Sequence, residues 1–303
     1  MPDRLFVFIQ LEFPWALGPA DGRYLLRAGP EADAEHVVVL GTLGAPRLPI
    51  PAARPPRWRS RREPEASPEP APVTTTRATV IDPVPLSAES QARAWLADLD
   101  REHEIASATA VLNRVLHLHR LSAADPYVHE VSPAQALVIR AGWGVGEQVA
   151  DGTWLHAREL DATPRTGRRR SRRDRSAALR PQERLAMLLG GRVGSLMCEE
   201  HVLRARLDLD AGRLAHAAVE LDAAYALALP ELHGERRHDL SVRLAELEKL
   251  QPQVRELARG ALAAVSASAG EQPAPPDEEA LAHLLGRLEA ALRARTAAGF
   301  NLA

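Results

Sequence analysis

The stretch Leu5-Phe6-Val7-Phe8-Ile9-Gln10-Leu11-Glu12-Phe13 alternates strictly, with Leu5, Val7, Ile9, Leu11 and Phe13 on one face of an extended chain. The opposite face opens apolar with Phe6 and Phe8 and closes polar with Gln10 and Glu12. A period of two predicts a β-strand, and the mixed second face predicts that its first half is covered on both sides. Pro14 stops it. Asp21-Gly22 supplies a turn into a second strand, Arg23 to Arg27, which Gly29-Pro30 ends. His36 to Leu40 is a short β-branched run suited to a central strand, and Arg77 to Ile81 reads as a fourth. Between the last two lies a segment dense in Pro, Arg, Glu and Ser, residues 45–76, which holds too few apolar residues to build a core and is expected to be disordered. The expectation is one small, mainly antiparallel sheet whose third and fourth strands are joined by that excursion.

Working outward, Ser87 caps a predicted helix over residues 87–122, kinked near Asp100, with Trp95, Leu99, Ile105, Leu112, Val115, Leu116 and His119 as its stripe. Asp125-Pro126 breaks it. Pro133 suits the first position of a second helix carrying Leu137, Val138, Ala141, Val145 and Val149 on one side. Asp151-Gly152 turns the chain, and Thr153 to Leu160 adds a last strand. The whole of residues 1–160 reads as one αβ domain. The rest is helical: residues 181–189, closed by Gly190-Gly191, then a hairpin of 196–210 and 214–229 about Ala211-Gly212, then 236–266 interrupted near Pro252. A Pro-rich connection at 270–277 precedes a terminal helix over 278–296, with Leu281, Leu284, Leu285, Leu288 and Leu292 as its stripe. The chain thus divides into the αβ domain 1–160, a basic linker 161–179, a helical domain 180–269, a linker 270–277 and a terminal segment 278–303. The fold class is α+β, with an all-α C-terminal part.

Composition supports helices over most of the length. Alanine and leucine supply much of the 46% hydrophobic content, and only twelve of 303 residues are aromatic. Lys249 is the only lysine, a skew that a GC-rich coding bias explains. Cys198 is alone, so no intramolecular disulfide forms. The first residues lack the pattern of a secretion signal, and no window reaches the apolar length of a membrane span, so a cytoplasmic location is expected.

Positive charge is concentrated. Arg54, Arg57, Arg59, Arg61 and Arg62 give residues 54–62 a net +5, and residues 165–175 hold seven Arg and Asp174 for +6. Against a whole-chain formal charge of −2, everything else carries −13. Arg57, Trp58 and Arg59, with Arg168, Arg169, Arg170, Arg172 and Arg173, are therefore the candidate contacts to a polyanion: guanidinium binds phosphate bidentately, and Trp58 stacks on an unpaired base. Such binding is non-specific and falls steeply with salt. Glu63, Glu65 and Glu69 dilute the first run, and a solvated linker accounts for both equally well.

The hairpin carries Gly212 at its turn, Ala205 in its first helix, Leu214, Ala217, Leu221 and Ala224 in its second, and Pro230 near the expected stop. These positions resemble a tetratricopeptide unit, with departures at Arg204 and at Asp208, where that family takes a large apolar residue. The resemblance covers about a tenth of the chain and is not repeated in the next 34 residues. It implies peptide or protein binding, and it makes Leu214, Ala217, Leu221 and Tyr225 the candidate partner-binding residues.

Catalytic signatures are weak. Gly142-Trp143-Gly144-Val145-Gly146 lacks the third glycine of a dinucleotide fingerprint, since Glu147 and Val149 occupy the two possible registers. His117 and His119 splay on a helix, His103-Glu104 lacks the second histidine of a zincin, and Glu235 with His238 forms one half of a di-iron ligand set. No metal and no cofactor are expected. Cys198 sits at a helix start, where Glu199 and Glu200 oppose its activation. Tyr127, His129, Trp143 and Glu147 are the only cluster of reactive types, in one connection. Three functional readings follow in order: a non-enzymatic protein-interaction protein acting through its helical part, a polyanion-binding protein acting through its arginine runs, and an enzyme with a site between residues 125 and 147.

Overall fold

The computed structural model describes residues 4–29, 31–44, 74–161, 172–234, 238–266 and 274–299. The fold is α+β. Contacts divide the chain into two compact units, Met1–Gly167 and Arg168–Ala303.

The first unit is a six-stranded antiparallel sheet of β1 (Leu5–Phe13), β2 (Gly22–Arg27), β3 (Ala34–Leu43), β4 (Thr75–Ile81), β5 (Val138–Val145) and β6 (His156–Leu160), in the order β2-β3-β4-β1-β5-β6. β3 and β4 pair as expected, Leu43 opposite Thr75 and Thr42 opposite Thr76, so residues 75 and 76 belong to the sheet. The remainder of the excursion, 45–73, lies outside the described residues. Two helices, α1 (Glu89–Asp98) and α2 (Arg101–Ala123), cover one face. The kink expected at Asp100 is a full break: Leu99 is extended, and the Asp100 carboxylate accepts the His103 N–H at 3.2 Å to start α2. Ile9, Leu11 and Phe13 of β1 meet Ile105, Leu112, Val115 and Leu116 in this core, and Leu5, Val7 and Trp143 pack beside Ala92 of α1.

The helix expected after Pro133 is a correction. Ser132 and Gln135 form a capping box around a 3-10 turn, Pro133–Gln135, which copies a helix start. Ala136 is then extended, with ψ 137°, and the chain enters β5. Ile139, Ala141 and Trp143 are buried on the helix-covered face while Arg140, Gly142 and Gly144 take the other. The glycines explain the misleading pattern. A Cβ at Gly142 would lie 2.8 Å from Phe8 Cζ, 2.9 Å from Ala157 Cα and closer still to the His156 carbonyl. One at Gly144 would lie 2.7 Å from Val149 Cγ2. The two glycines let residues 146–155 fold back over Phe8, which is why both faces of the first half of β1 are covered.

The second unit comprises α3 (Arg172–Leu189), α4 (Met197–Asp210), α5 (Leu214–His233), α6 (His238–Ser266) and α7 (Glu278–Gly299). Three expected boundaries shift. α3 begins at Arg172, inside the expected linker, because Ala177, Ala178 and Leu179 are strong helix formers. α5 continues past Pro230 and α6 past Pro252. Pro230 and Pro252 are exposed, as is Ala226, so the carbonyl that Pro230 leaves without a helical donor is on the wet side. The terminal helix is no separate segment. Leu281, Leu284, Leu285 and Leu288 are buried in the same core as Val202, Leu209, Leu221, Tyr225, Leu240 and Leu247.

Candidate functional sites

In the sheet unit, the face without helices carries a polar cluster. The alternation of β1 puts Gln10 and Glu12 on this face, opposite Thr79 and Arg77 of β4. Arg140 of β5 stands opposite Gln10 from the other side. Glu12 Oε1 accepts from Arg140 Nη1 at 2.8 Å and from Arg77 Nε and Nη2 at 3.3 Å. Gln10 Nε2 donates to Thr79 Oγ1 at 3.1 Å, and Gln10 Oε1 accepts from Arg140 at 3.3 Å. The Trp154 ring lies beside both guanidiniums, with centroid distances of 5.8 and 5.9 Å, in cation–π range. Gln10 is fully buried, and Glu159 adds an outer contact to Arg140 at 3.4 Å. Two cations share one buried-side carboxylate and one exposed one, so the cluster is neutral overall. Its chemistry is that of a register lock across β4, β1 and β5: a shift of one residue would turn Glu12 into the core. The sequence held the signal in alternating Gln10 and Glu12, but reading β5 as a helix hid Arg140.

The reactive types proposed between residues 125 and 147 do not converge. Tyr127 is 85% exposed and His129 is also exposed, whereas Trp143 is 1% exposed beneath α1, stacked on His156 at 4.6 Å. The Trp143 indole N–H has no hydrogen-bond partner. Glu147 lies in the 3-10 turn Gly146–Val149. Among the described residues, no group of three or more His, Cys, Asp or Glu is placed to hold a metal ion.

In the helical unit, the residues expected to receive a partner are found inside. Ala217, Leu221 and Tyr225 are at most 2% exposed, and Leu214 packs partly buried against the same cluster. This corrects their assignment to an open surface. The physical reason is α5 itself, which is apolar on more than one side and sits between neighbours. What lies in this core with them is α7. The Tyr225 hydroxyl donates to the Leu284 carbonyl at 2.8 Å, and burial first, then the charge of Glu246, raise its pKa above the usual range. Ion pairs rim the seam. Arg206 of α4 donates to Glu289 at 2.9 Å, Arg295 approaches Glu199 at 3.7 Å, and Arg287 pairs with Glu246 of α6. Hydrogen bonding to Glu289 raises the Arg206 pKa, and that to Arg287 lowers the Glu246 pKa.

At the start of α4, Glu231 of α5 accepts the N–H groups of Met197 at 2.8 Å and Cys198 at 3.1 Å, capping the helix from outside. Cys198 is buried, and its thiol pKa is pushed far up, first by burial and then by the hydrogen bond to Glu231 and its charge. That removes it as a nucleophile. Asp208, at the position where the tetratricopeptide pattern takes an apolar residue, instead binds Arg213 at 2.6 Å.

Of the arginine runs, Arg57, Trp58, Arg59, Arg168, Arg169 and Arg170 lie outside the described residues, and Arg172 and Arg173 open α3. No described helix is long and apolar enough to cross a membrane. The chain matches no protein-family model, no curated protein and no solved structure.

Proposed function

We infer that the protein is a non-enzymatic interaction protein whose helical unit binds an amphipathic helix along the layer formed by α4, α5 and α6. One observation carries this reading: α7 occupies that position. It follows the chain's other helices only after the Pro-rich segment, and it lays its leucine stripe against all three. The arrangement has the parts of helix-in-groove recognition, namely leucines spaced i, i+3, i+4 and i+7 at the centre and charge pairs at the edge. The candidate residues Ala217, Leu221 and Tyr225 then serve as floor of the groove, and Leu214 lies at its margin.

The test is to place a protease site in residues 268–272, cut the purified full chain, and add a labelled peptide of residues 277–299. The reading expects α7 to remain bound after cutting and the labelled peptide to exchange into its place, seen as a rise in anisotropy. A cut chain that stays folded by circular dichroism yet takes up no peptide would overturn it.

A further inference from the structure

We propose that the occupant of the α4–α5–α6 groove in trans is α7 of a second copy of this chain, so that two chains pair by reciprocal exchange of their terminal helices. The inference rests on the helix-binding reading above. It commits to a second copy because α7 is the one helix whose fit to this groove is on display, and every copy carries both halves of the fit. The chain therefore holds all the contacts of a two-fold exchanged dimer without needing any new surface.

Direction and reach can be read from the contacts. Arg206 meets Glu289 and Glu199 meets Arg295, so α7 runs antiparallel to α4. His201 meets Glu220 and Cys198 meets Glu231, which makes α4 and α5 antiparallel, and His233 with Glu248 shows the same for α5 and α6. α7 is thus antiparallel to α6, with Arg287 level with Glu246. From Glu246 to the end of α6 the helix climbs about 30 Å, while from Arg287 back to the start of α7 it climbs about 14 Å, at the usual rise per residue. The connection 267–277 must make up a difference of about 16 Å, and its eleven residues reach at most about 36 Å. It closes within one chain, with slack to reach a neighbour. Pro273, Pro275 and Pro276 stiffen its last part, which lowers the advantage that a fully flexible tether gives the closed form.

The ion pairs at the rim allow a test that separates pairing in cis from pairing in trans. One chain carries Glu289→Arg and Arg287→Glu on α7, and the other carries Arg206→Glu and Glu246→Arg on the groove. Each chain alone sets like charges against each other when it closes on itself. In an exchanged pair, the reversed helix meets the reversed groove, and the native helix meets the native groove, so both seams are restored. The expected result, by size-exclusion chromatography with light scattering after warm mixing, is a species of twice the chain mass containing one copy of each, which neither chain forms alone. The proposal is overturned if the mixture stays monomeric while one chain bearing all four substitutions folds as a monomer.

A second construction does not depend on those substitutions folding. Deleting residues 267–273 leaves four residues that span at most about 13 Å, too short to close within one chain. The expected product is a dimer, and a monomer whose α7 is open to protease would overturn the proposal. If the cut chain exchanges peptide but full chains never pair, only this inference falls. If the cut chain takes no peptide, the helix-binding reading falls with it.

Discussion

In the sheet unit, Arg77 and Arg140 close on Glu12 from the two strands that flank it, and the contacts lock neighbours already hydrogen-bonded along their length. In the helical unit, Arg206, Arg287 and Arg295 reach across a seam to or from a helix that is bonded to its neighbours by side chains and one tyrosine hydroxyl. The same residue types do different work because the backbone differs. A strand's place is held by its ladder, so side-chain charge refines register. A helix satisfies its own backbone, so leucines and rim charges are all that fix where it lies. The helical unit is therefore the half in which an element can leave and be replaced.

The largest expected effect tests that contrast directly. Leu288→Ala removes a fully buried side chain from the middle of the α7 stripe and should cost about 3 kcal/mol, within the usual range for buried leucine. Calorimetry should show the loss in one transition only, with the sheet unit melting as before. A uniform shift of the whole melt would mean that the two units unfold together and would break the comparison.

Gly142→Ala is the counterpart in the sheet. The added methyl must displace the His156 carbonyl or the Phe8 ring, and overpacking of this kind costs about 1–3 kcal/mol. Denaturant titration followed by Trp fluorescence should show it, since Trp143 and Trp154 both report on this region. An unchanged midpoint would mean that residues 146–155 do not press on β5 as described.

Glu12→Gln leaves Arg77 and Arg140 facing each other without their shared carboxylate. The pairs are partly screened, so the expected cost is about 1–2 kcal/mol, below that of a fully buried pair. Replacing Trp154 by Phe should cost less. If Glu12→Gln is neutral, the cluster is a solvated ornament of the face and the register argument fails.

How much of this was legible in sequence depends on the distance over which each residue finds its partner. β1 could be read because its alternation is complete within nine residues, and α2 because its stripe repeats every turn. β5 was missed because Gly142 and Gly144 erase one face, while Ser132, Pro133 and Gln135 supply a local helix start that goes nowhere. The polar cluster needed residues from three strands, the farthest pair 130 positions apart, and no local pattern joins Gln10 to Arg140. In the helical unit, Ala217, Leu221 and Tyr225 were singled out correctly as a helix-receiving face. What the pattern could not show was the occupant, because Leu284 lies 59 positions from Tyr225 and its narrow stripe suits any long apolar surface.

The smallest expected effect concerns the cap on α4. The Glu231 pKa is lowered: burial works to raise it, but hydrogen bonds from the Cys198 thiol and from the Cys198 and Met197 N–H groups outweigh that. Because the folded value lies below the unfolded one, the unfolded chain takes up this proton first as pH falls. The stabilisation is then complete above the usual carboxylate range, near pH 5, and is lost as pH drops through the folded value. Glu231→Gln should cost about 1 kcal/mol at pH 7, the ordinary worth of a helix cap, and the gap from the native chain should close toward pH 3. Cys198 supplies the independent readout. Buried against a carboxylate that holds its thiol protonated, it should react with a disulfide reagent only as fast as the helical unit opens, and faster at pH 7 once Glu231 is replaced. Rapid labelling of the native chain would show that the start of α4 frays, and the cap would then be too weak to position the face that receives α7.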